Sequence, residues 1–115
     1  DLLIRLEYTY KFPKLYITEN GGAFPDVLTD EGDVNDEERR KYIELHLTQA
    51  IKAIQAGVNL KGYFVWSLMD NFEWDKGYAM RFGITYIDFV SLKRTLKASA
   101  KWYSQVIGNN GFNNK

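Results

Sequence analysis

Tyr16-Ile17-Thr18-Glu19-Asn20-Gly21 and Phe64-Val65-Trp66-Ser67-Leu68-Met69-Asp70-Asn71-Phe72-Glu73-Trp74 are the two segments of this chain whose residue types could do chemistry. Each is a short apolar run ending on a carboxylate, Glu19 or Glu73, beside turn-forming or aromatic residues. An α/β barrel delivers catalytic and ligand-binding side chains in this way, where a parallel strand passes into a loop at the barrel mouth. A carboxylate held there can attack an electrophile or accept hydrogen bonds from hydroxyl groups. Trp66 and Trp74 add flat apolar faces and indole N–H donors. On position alone, however, a glutamate at a strand end is a solvated loop carboxylate and a tryptophan on an apolar run is core. The surrounding elements decide between the two.

Those elements alternate. Leu2, Leu3, Leu6 and Tyr10 recur at helical spacing, which predicts the end of an amphipathic helix over residues 1–11, stopped near Phe12-Pro13. Leu15 to Thr18 is predicted as a strand covered on both faces. A polar loop follows through Gly21-Gly22, Pro25-Asp26 and Asp30-Glu31-Gly32-Asp33. Asn35 or Asp36 is predicted to cap the next helix, with Glu38 in capping-box register to Asn35. Within that helix, Ile43, Leu47, Ala50, Ile51, Ile54 and Val58 keep one apolar face, and Gly57 suits a left-handed C-cap. Lys61 to Leu68 reads as a second strand. A strand, a helix and a strand make a crossover that sets the strands parallel and their C-terminal ends on one side. Glu19 and Glu73 are therefore expected on the same face. A loop over Met69 to Ala79, an extended segment over Phe82 to Asp88 and a last helix over Leu96 to Ile107 complete the series, the helix burying Trp102, Tyr103, Val106 and Ile107 and ending at Gly108.

Composition excludes several classes. Fifteen basic and fifteen acidic residues cancel, so no overall field draws the chain to nucleic acid or to an anionic membrane. With 45% hydrophobic and 26% charged residues it reads as an ordinary folded chain. The absence of cysteine rules out a disulfide framework and fits a reducing compartment, and a cytoplasmic location is expected. Asp1-Leu2-Leu3-Ile4-Arg5 lacks the pattern of a signal peptide, and without a start methionine the true N-terminus is expected to be absent. His46 lies within the long helix with no other histidine or cysteine to complete a metal site, so it is assigned to structure. The acidic run from Asp30 to Glu38 lacks the ligand spacing of a calcium loop. Three Trp, eight Tyr and seven Phe are many for this length, and flat aromatic faces suit sugar rings as well as a core.

Ile17-Thr18-Glu19-Asn20-Gly21, the run from Trp66 to Trp74, Gly77-Tyr78 and Arg81-Phe82-Gly83 together resemble glycoside hydrolase family 1, the family of β-glucosidases. The resemblance extends from about Leu2 to Ile107. It implies an α/β fold: a C-terminal fragment of a (β/α)8 TIM barrel comprising helix 6, strand 7, helix 7, strand 8 and helix 8. Residues 1–108 would form the partial glycosidase domain and 109–115 a flexible tail. Glu19 then resembles the catalytic nucleophile at the end of the seventh strand, and Trp66, Glu73 and Trp74 resemble the floor and walls of the subsite that holds the glycone. The family's acid/base glutamate lies in an Asn-Glu-Pro segment, whereas Pro13 and Pro25 here both follow phenylalanine. A complete barrel also needs about 250 residues against the 115 present.

The resemblance thus implies part of a retaining glycosidase acting on neutral β-glucosides, without cofactor or metal, whose remaining strands come from another chain or further sequence. Its phosphate-using members place serine, lysine and tyrosine where this chain has Asn71-Phe72-Glu73-Trp74. Lys76 and Arg81, the nearby cations, read as loop or surface charges. A second reading is an excised barrel piece that folds or self-associates without catalysis, because parallel strands cut from a barrel keep open edges and an uncovered inner face.

Overall fold

The computed structural model describes residues 1–112. Helix α1 (Leu2–Tyr10) ends on Lys11 in the left-handed conformation and passes through Pro13 into strand β1 (Leu15–Asn20). Helix α2 (Glu37–Gln55) then carries the chain back to strand β2 (Leu60–Val65). The two strands pair in parallel, with Leu15 opposite Leu60, Tyr16 opposite Gly62, Ile17 opposite Tyr63 and Asn20 opposite Val65. The expected crossover is present, and both strands end at the same edge.

The Asp36 cap differs from expectation. Asp36 is the N-cap residue of α2, but its carboxylate makes no cap hydrogen bond. It instead receives the Arg39 guanidinium and the Ser99 N–H and hydroxyl, charged or remote donors that outcompete the local amide. The apolar face of α2 is also narrower than its periodicity predicts. Ile43, Ala50 and Ala53 are buried, while Ile51 and Ile54 are exposed, because β2 and the last helix are the elements that chiefly cover it. The helix stops at Ala56, and Gly57 follows with a φ of 96°, a conformation that glycine adopts without a Cβ penalty.

Strand β2 ends at Val65, three residues short of the expected Leu68. The apolar pattern continues but its backbone partners change. The Ser67 N–H bonds Phe82 O at 3.2 Å, Thr85 N–H bonds Leu68 O at 3.0 Å, and Asp70 N–H bonds Thr85 O at 3.0 Å. Of the extended segment expected over Phe82 to Asp88, only strand β3 (Thr85–Ile87) is regular, and it forms an antiparallel hairpin with strand β4 (Arg94–Leu96). Leu96, predicted as helical, belongs to β4. The Asp88 carboxylate organises the hairpin turn by accepting the Val90 and Ser91 N–H groups at 2.9 and 3.1 Å. Helix α3 (Ala98–Asn109) buries Ser99 and Ala100 fully, leaves Trp102, Tyr103 and Val106 half-buried, and exposes Ile107. Its left-handed cap is Asn110 instead of Gly108. Phe112 packs edge-on against Trp102 at 5.7 Å, so residues 109–112 belong to the folded part, while 113–115 of the expected tail lie outside the described residues.

One face of the β1–β2 pair packs towards the helices. The other, carrying Tyr16, Phe64 and Trp66 and continued by Leu68, is exposed. Among the described residues, no helix is long and apolar enough to cross a membrane.

Candidate active site

Glu19 lies one residue before the end of β1. Exposure along the strand alternates from Leu15 to Thr18 and then repeats at Glu19, where the pairing register also shifts between Ile17 and Asn20. Glu19 is exposed there and also borders a cavity of about 360 Å³ lined by Ile17, Asn20, His46, Ala50 and Tyr63. The next residue is locked, since the Asn20 carbonyl accepts Trp66 N–H at 2.9 Å and its side-chain oxygen accepts the Tyr63 hydroxyl at 2.6 Å. Burial, with Tyr103 and Tyr42 nearby, pushes the Tyr63 phenol well above the ordinary tyrosine range, so it stays protonated and donating. Gly21 is required by contact: a Cβ there would lie 1.8 Å from the Trp66 carbonyl oxygen.

Trp66 therefore leaves the sheet beside Asn20, half turned to solvent at 41% exposure. Its peptide bond to Ser67 is cis. The following loop is braced from within. The Ser67 hydroxyl donates to Met69 O at 2.8 Å, and the Asn71 amide donates to the Ser67 hydroxyl and Met69 O at 2.9 and 3.0 Å. Glu73 and Gly77 exchange backbone hydrogen bonds at 2.7 and 2.5 Å, closing a tight turn in which Gly77 has a φ of 58°. Glu73 is half-buried and Trp74 is 91% exposed. Glu19 and Trp66 thus lie at the neighbouring C-terminal ends of the two strands, and Glu73 and Trp74 sit on the loop that follows β2. Among the described residues, no hydrogen bond or ion pair engages either glutamate's carboxylate, which leaves both free for a ligand.

His46 keeps the structural place expected of it, with Nδ1 2.7 Å from Tyr42 O and its ring against that tyrosine. No group of three or more metal-ligating side chains is found among the described residues.

Comparison with known proteins decides the family. The family model described as glycosyl hydrolase family 1 matches residues 1–112. The chain belongs to this family. It is 54% identical over 110 residues to β-glucosidase A of Thermotoga maritima, covering 96% of this chain and 25% of that protein. It is 46% identical to a 6-phospho-β-galactosidase of Streptococcus equi subsp. zooepidemicus, covering 92% of this chain and 23% of that protein. The solved family 1 β-glucosidase of Thermotoga maritima superposes with a TM-score of 0.96 at 53% identity, covering 98% of this chain and 26% of that one. The chain thus spans about a quarter of the length of the family 1 relatives it matches, a part of their barrel.

Behind the site lies a buried ionic network that sequence reasoning missed. Lys97 is 0% exposed, and its ammonium donates to Asp26 Oδ2 at 2.5 Å, Asp70 Oδ1 at 2.7 Å and Gly83 O at 2.6 Å. Arg39 grips both Asp26 oxygens at 3.0 and 2.7 Å, reaches Asp36, and donates to Arg81 O at 2.7 Å. Arg81, expected as a loop or surface charge, donates to Asp70 Oδ2 at 2.6 Å and Ile87 O at 2.9 Å, and its guanidinium lies 3.9 Å from the Tyr86 ring centre. Three carboxylates face three cations, so the buried charges balance. Lys97, between Leu96 and Ala98-Ser99-Ala100, was the one visible signal: a lone charge among small and apolar neighbours.

Proposed function

We propose that this chain is the nucleophile-bearing part of a retaining β-glucosidase barrel, with α1 as helix 6, β1 as strand 7, α2 as helix 7, β2 as strand 8 and α3 as helix 8. Its barrel part extends past residue 108, since α3 runs to Asn109 and Phe112 packs on Trp102. Glu19 is the nucleophile, and Trp66, Glu73 and Trp74 form part of the glycone subsite. The observation that carries this reading is the shared edge: Glu19 and Trp66 leave adjacent parallel strands together, and the Glu19 carboxylate is not consumed by the fold.

The reaction class follows from that arrangement. The Glu19 carboxylate attacks the anomeric carbon as a second carboxyl, about 5 to 5.5 Å away, protonates the departing glycosidic oxygen; that second group then takes a proton from water, which displaces the glycosyl ester. The second carboxyl comes from the rest of the barrel. Glu73 accepts hydrogen bonds from two neighbouring hydroxyls on the C4 to C6 edge of the ring, and charge-assisted bonds of this kind are roughly twice as strong as neutral ones. The tryptophans cover the C–H face. Neutral hexosides are the substrate class, because a 6-phosphate would meet the Glu73 charge.

In the complete enzyme, Glu19→Gln keeps the shape and removes the nucleophile, so turnover of an aryl β-glucoside should fall by at least about 10⁴-fold while sugar binding persists. Turnover within tenfold of the parent would reject the assignment.

A further inference from the structure

We infer that Lys97 is a positioning residue for this site, a buried ammonium that sets the loop carrying Glu73 in place relative to the loop that follows Glu19. The inference rests on the glycone role proposed for Glu73.

Asp26 belongs to the loop after β1, and Asp70 starts the loop after β2 that carries Glu73. No backbone ladder extends this far from the strands, which stop at Asn20 and Val65. Among the described residues, Arg39 links Asp26 to the Arg81 carbonyl from α2, and two further ties cross between the loops. One is the isolated backbone pair of Phe24 and Arg81, with N–H to O distances of 3.0 and 3.2 Å. The other is Lys97, which holds Asp26 and Asp70 through one nitrogen at 2.5 and 2.7 Å.

Its own backbone is fixed, with Lys97 N–H on Ile84 O at 3.0 Å and the next N–H on Val34 O at 2.9 Å, so the ammonium is a stationary anchor. Asp70 is saturated by four donors, Lys97, Arg81, Gly83 N–H and Ile87 N–H, which leaves the start of the Glu73 loop no freedom to tilt. A Cβ on Gly83 would lie 2.2 Å from Asp70 N, so this contact is also sterically closed. Replacing a whole buried ion pair by apolar residues of the same volume is often neutral for stability, whereas removing one partner strands the other charge. Directional constraint matters here because a misplacement of about 1 Å at a reacting group can cost about 100-fold in rate.

The test is a ratio of ratios in the complete enzyme. Aryl β-glucoside and aryl β-xyloside differ by the C6 hydroxymethyl group, which Glu73 would bind, so their relative kcat/KM reports whether Glu73 is placed correctly. Glu73→Gln should lower that glucoside-to-xyloside ratio by at least about tenfold, and Lys97→Met should lower it to within about threefold of the Glu73 variant. A purely structural role would remove active protein and scale both substrates equally, leaving the ratio at the parent value; that result would overturn the inference. Should Lys97→Met fail to fold, Asp26→Asn/Lys97→Met restores the charge balance without the bridge and is expected to show the same loss of ratio; a parental ratio there overturns the inference too. If Glu73→Gln itself leaves the ratio unchanged, the glycone reading fails, and the Lys97 inference with it. If only the Lys97 variants keep the ratio, the glycone reading stands and the positioning role falls.

Discussion

Asp26, Asp36 and Asp70 give their oxygens to arginine, lysine, serine and backbone donors, whereas among the described residues the carboxylates of Glu19, exposed near the end of β1, and of Glu73, half-buried on the loop after β2, take no hydrogen bond or ion pair. A charge already paired within the fold cannot serve a ligand without leaving another charge stranded. The 6-phospho-β-galactosidase is 46% identical to this chain over 107 residues, so overall similarity does not select the substrate; under the reading proposed above, the Glu73 carboxylate does. Two like charges about 4 Å apart repel by about 1 kcal/mol in water and by several times that at reduced dielectric. The cation that could offset a phosphate is not spare: Arg81 is bound to Asp70, and Lys76 pairs with Asp75 at 2.6 Å on the surface. The complete enzyme should therefore favour an aryl β-glucoside over its 6-phosphate by at least about tenfold in kcat/KM, and Glu73→Gln should narrow the gap. A preference for the phosphate would place Glu73 away from the sugar. Glu19, Trp66, Glu73 and Trp74 were singled out from local types and spacing and from the family resemblance those segments carry. Lys97 was not, since its partners lie 27 and 71 residues away and nothing in a linear pattern joins them.

Strand edges are set by contacts that single residues can break. Adding a methyl at Gly21 drives it into the Trp66 carbonyl, whose residue is held beside β1 by its N–H on Asn20 O. Overpacking of this kind costs typically about 1–3 kcal/mol and often more against backbone. Gly21→Ala is therefore expected to lower the thermal midpoint by several degrees or more, while alanine at Gly108, which has open space around its Cβ, should be tolerated. Tyr63 beneath the same edge gives a pH signature. Its folded-state pKa is raised above its unfolded value, mainly by burial, so the folded chain holds a proton that the unfolded chain releases in alkali. Its contribution is fully present below about pH 10 and declines as pH rises beyond it. Tyr63→Phe should flatten that alkaline decline, seen in denaturant midpoints between neutral and alkaline pH, and an unchanged slope would show that Tyr63 is not the group responsible. The crossover was readable from periodicity: the 3.6-residue repeat of α2 lies between two short apolar runs. The β3–β4 hairpin was not, because its turn depends on Asp88 accepting two backbone N–H groups, and the end of β2 was not, because the apolar run continues after its partner changes.

As a body the chain is a flattened slab of 48 × 33 × 18 Å with a radius of gyration of 15.9 Å, against about 13 Å for a compact domain near this length. Its accessible surface of 8061 Å² likewise exceeds the roughly 6,500 Å² expected of a monomer of its mass. Part of the excess is the uncovered face bearing Tyr16, Phe64, Trp66 and Leu68, and α1 has no buried residue. An apolar face of this kind associates with copies of itself when nothing else covers it. On its own in solution the chain should elute larger than a monomer in gel filtration and show no β-glucosidase turnover, and Phe64→Glu should shift it towards monomer; an active monomer would contradict the need for further strands. The central claim, that Glu19 attacks the sugar, is tested most directly by trapping the glycosyl ester. A complete enzyme carrying this segment is incubated with a 2-deoxy-2-fluoro glucoside bearing an activated leaving group, digested and mapped by mass spectrometry. One fluoroglycosyl label is expected, on the peptide containing Tyr16 to Gly21 and fragmenting to Glu19. A label on any other carboxylate would contradict it.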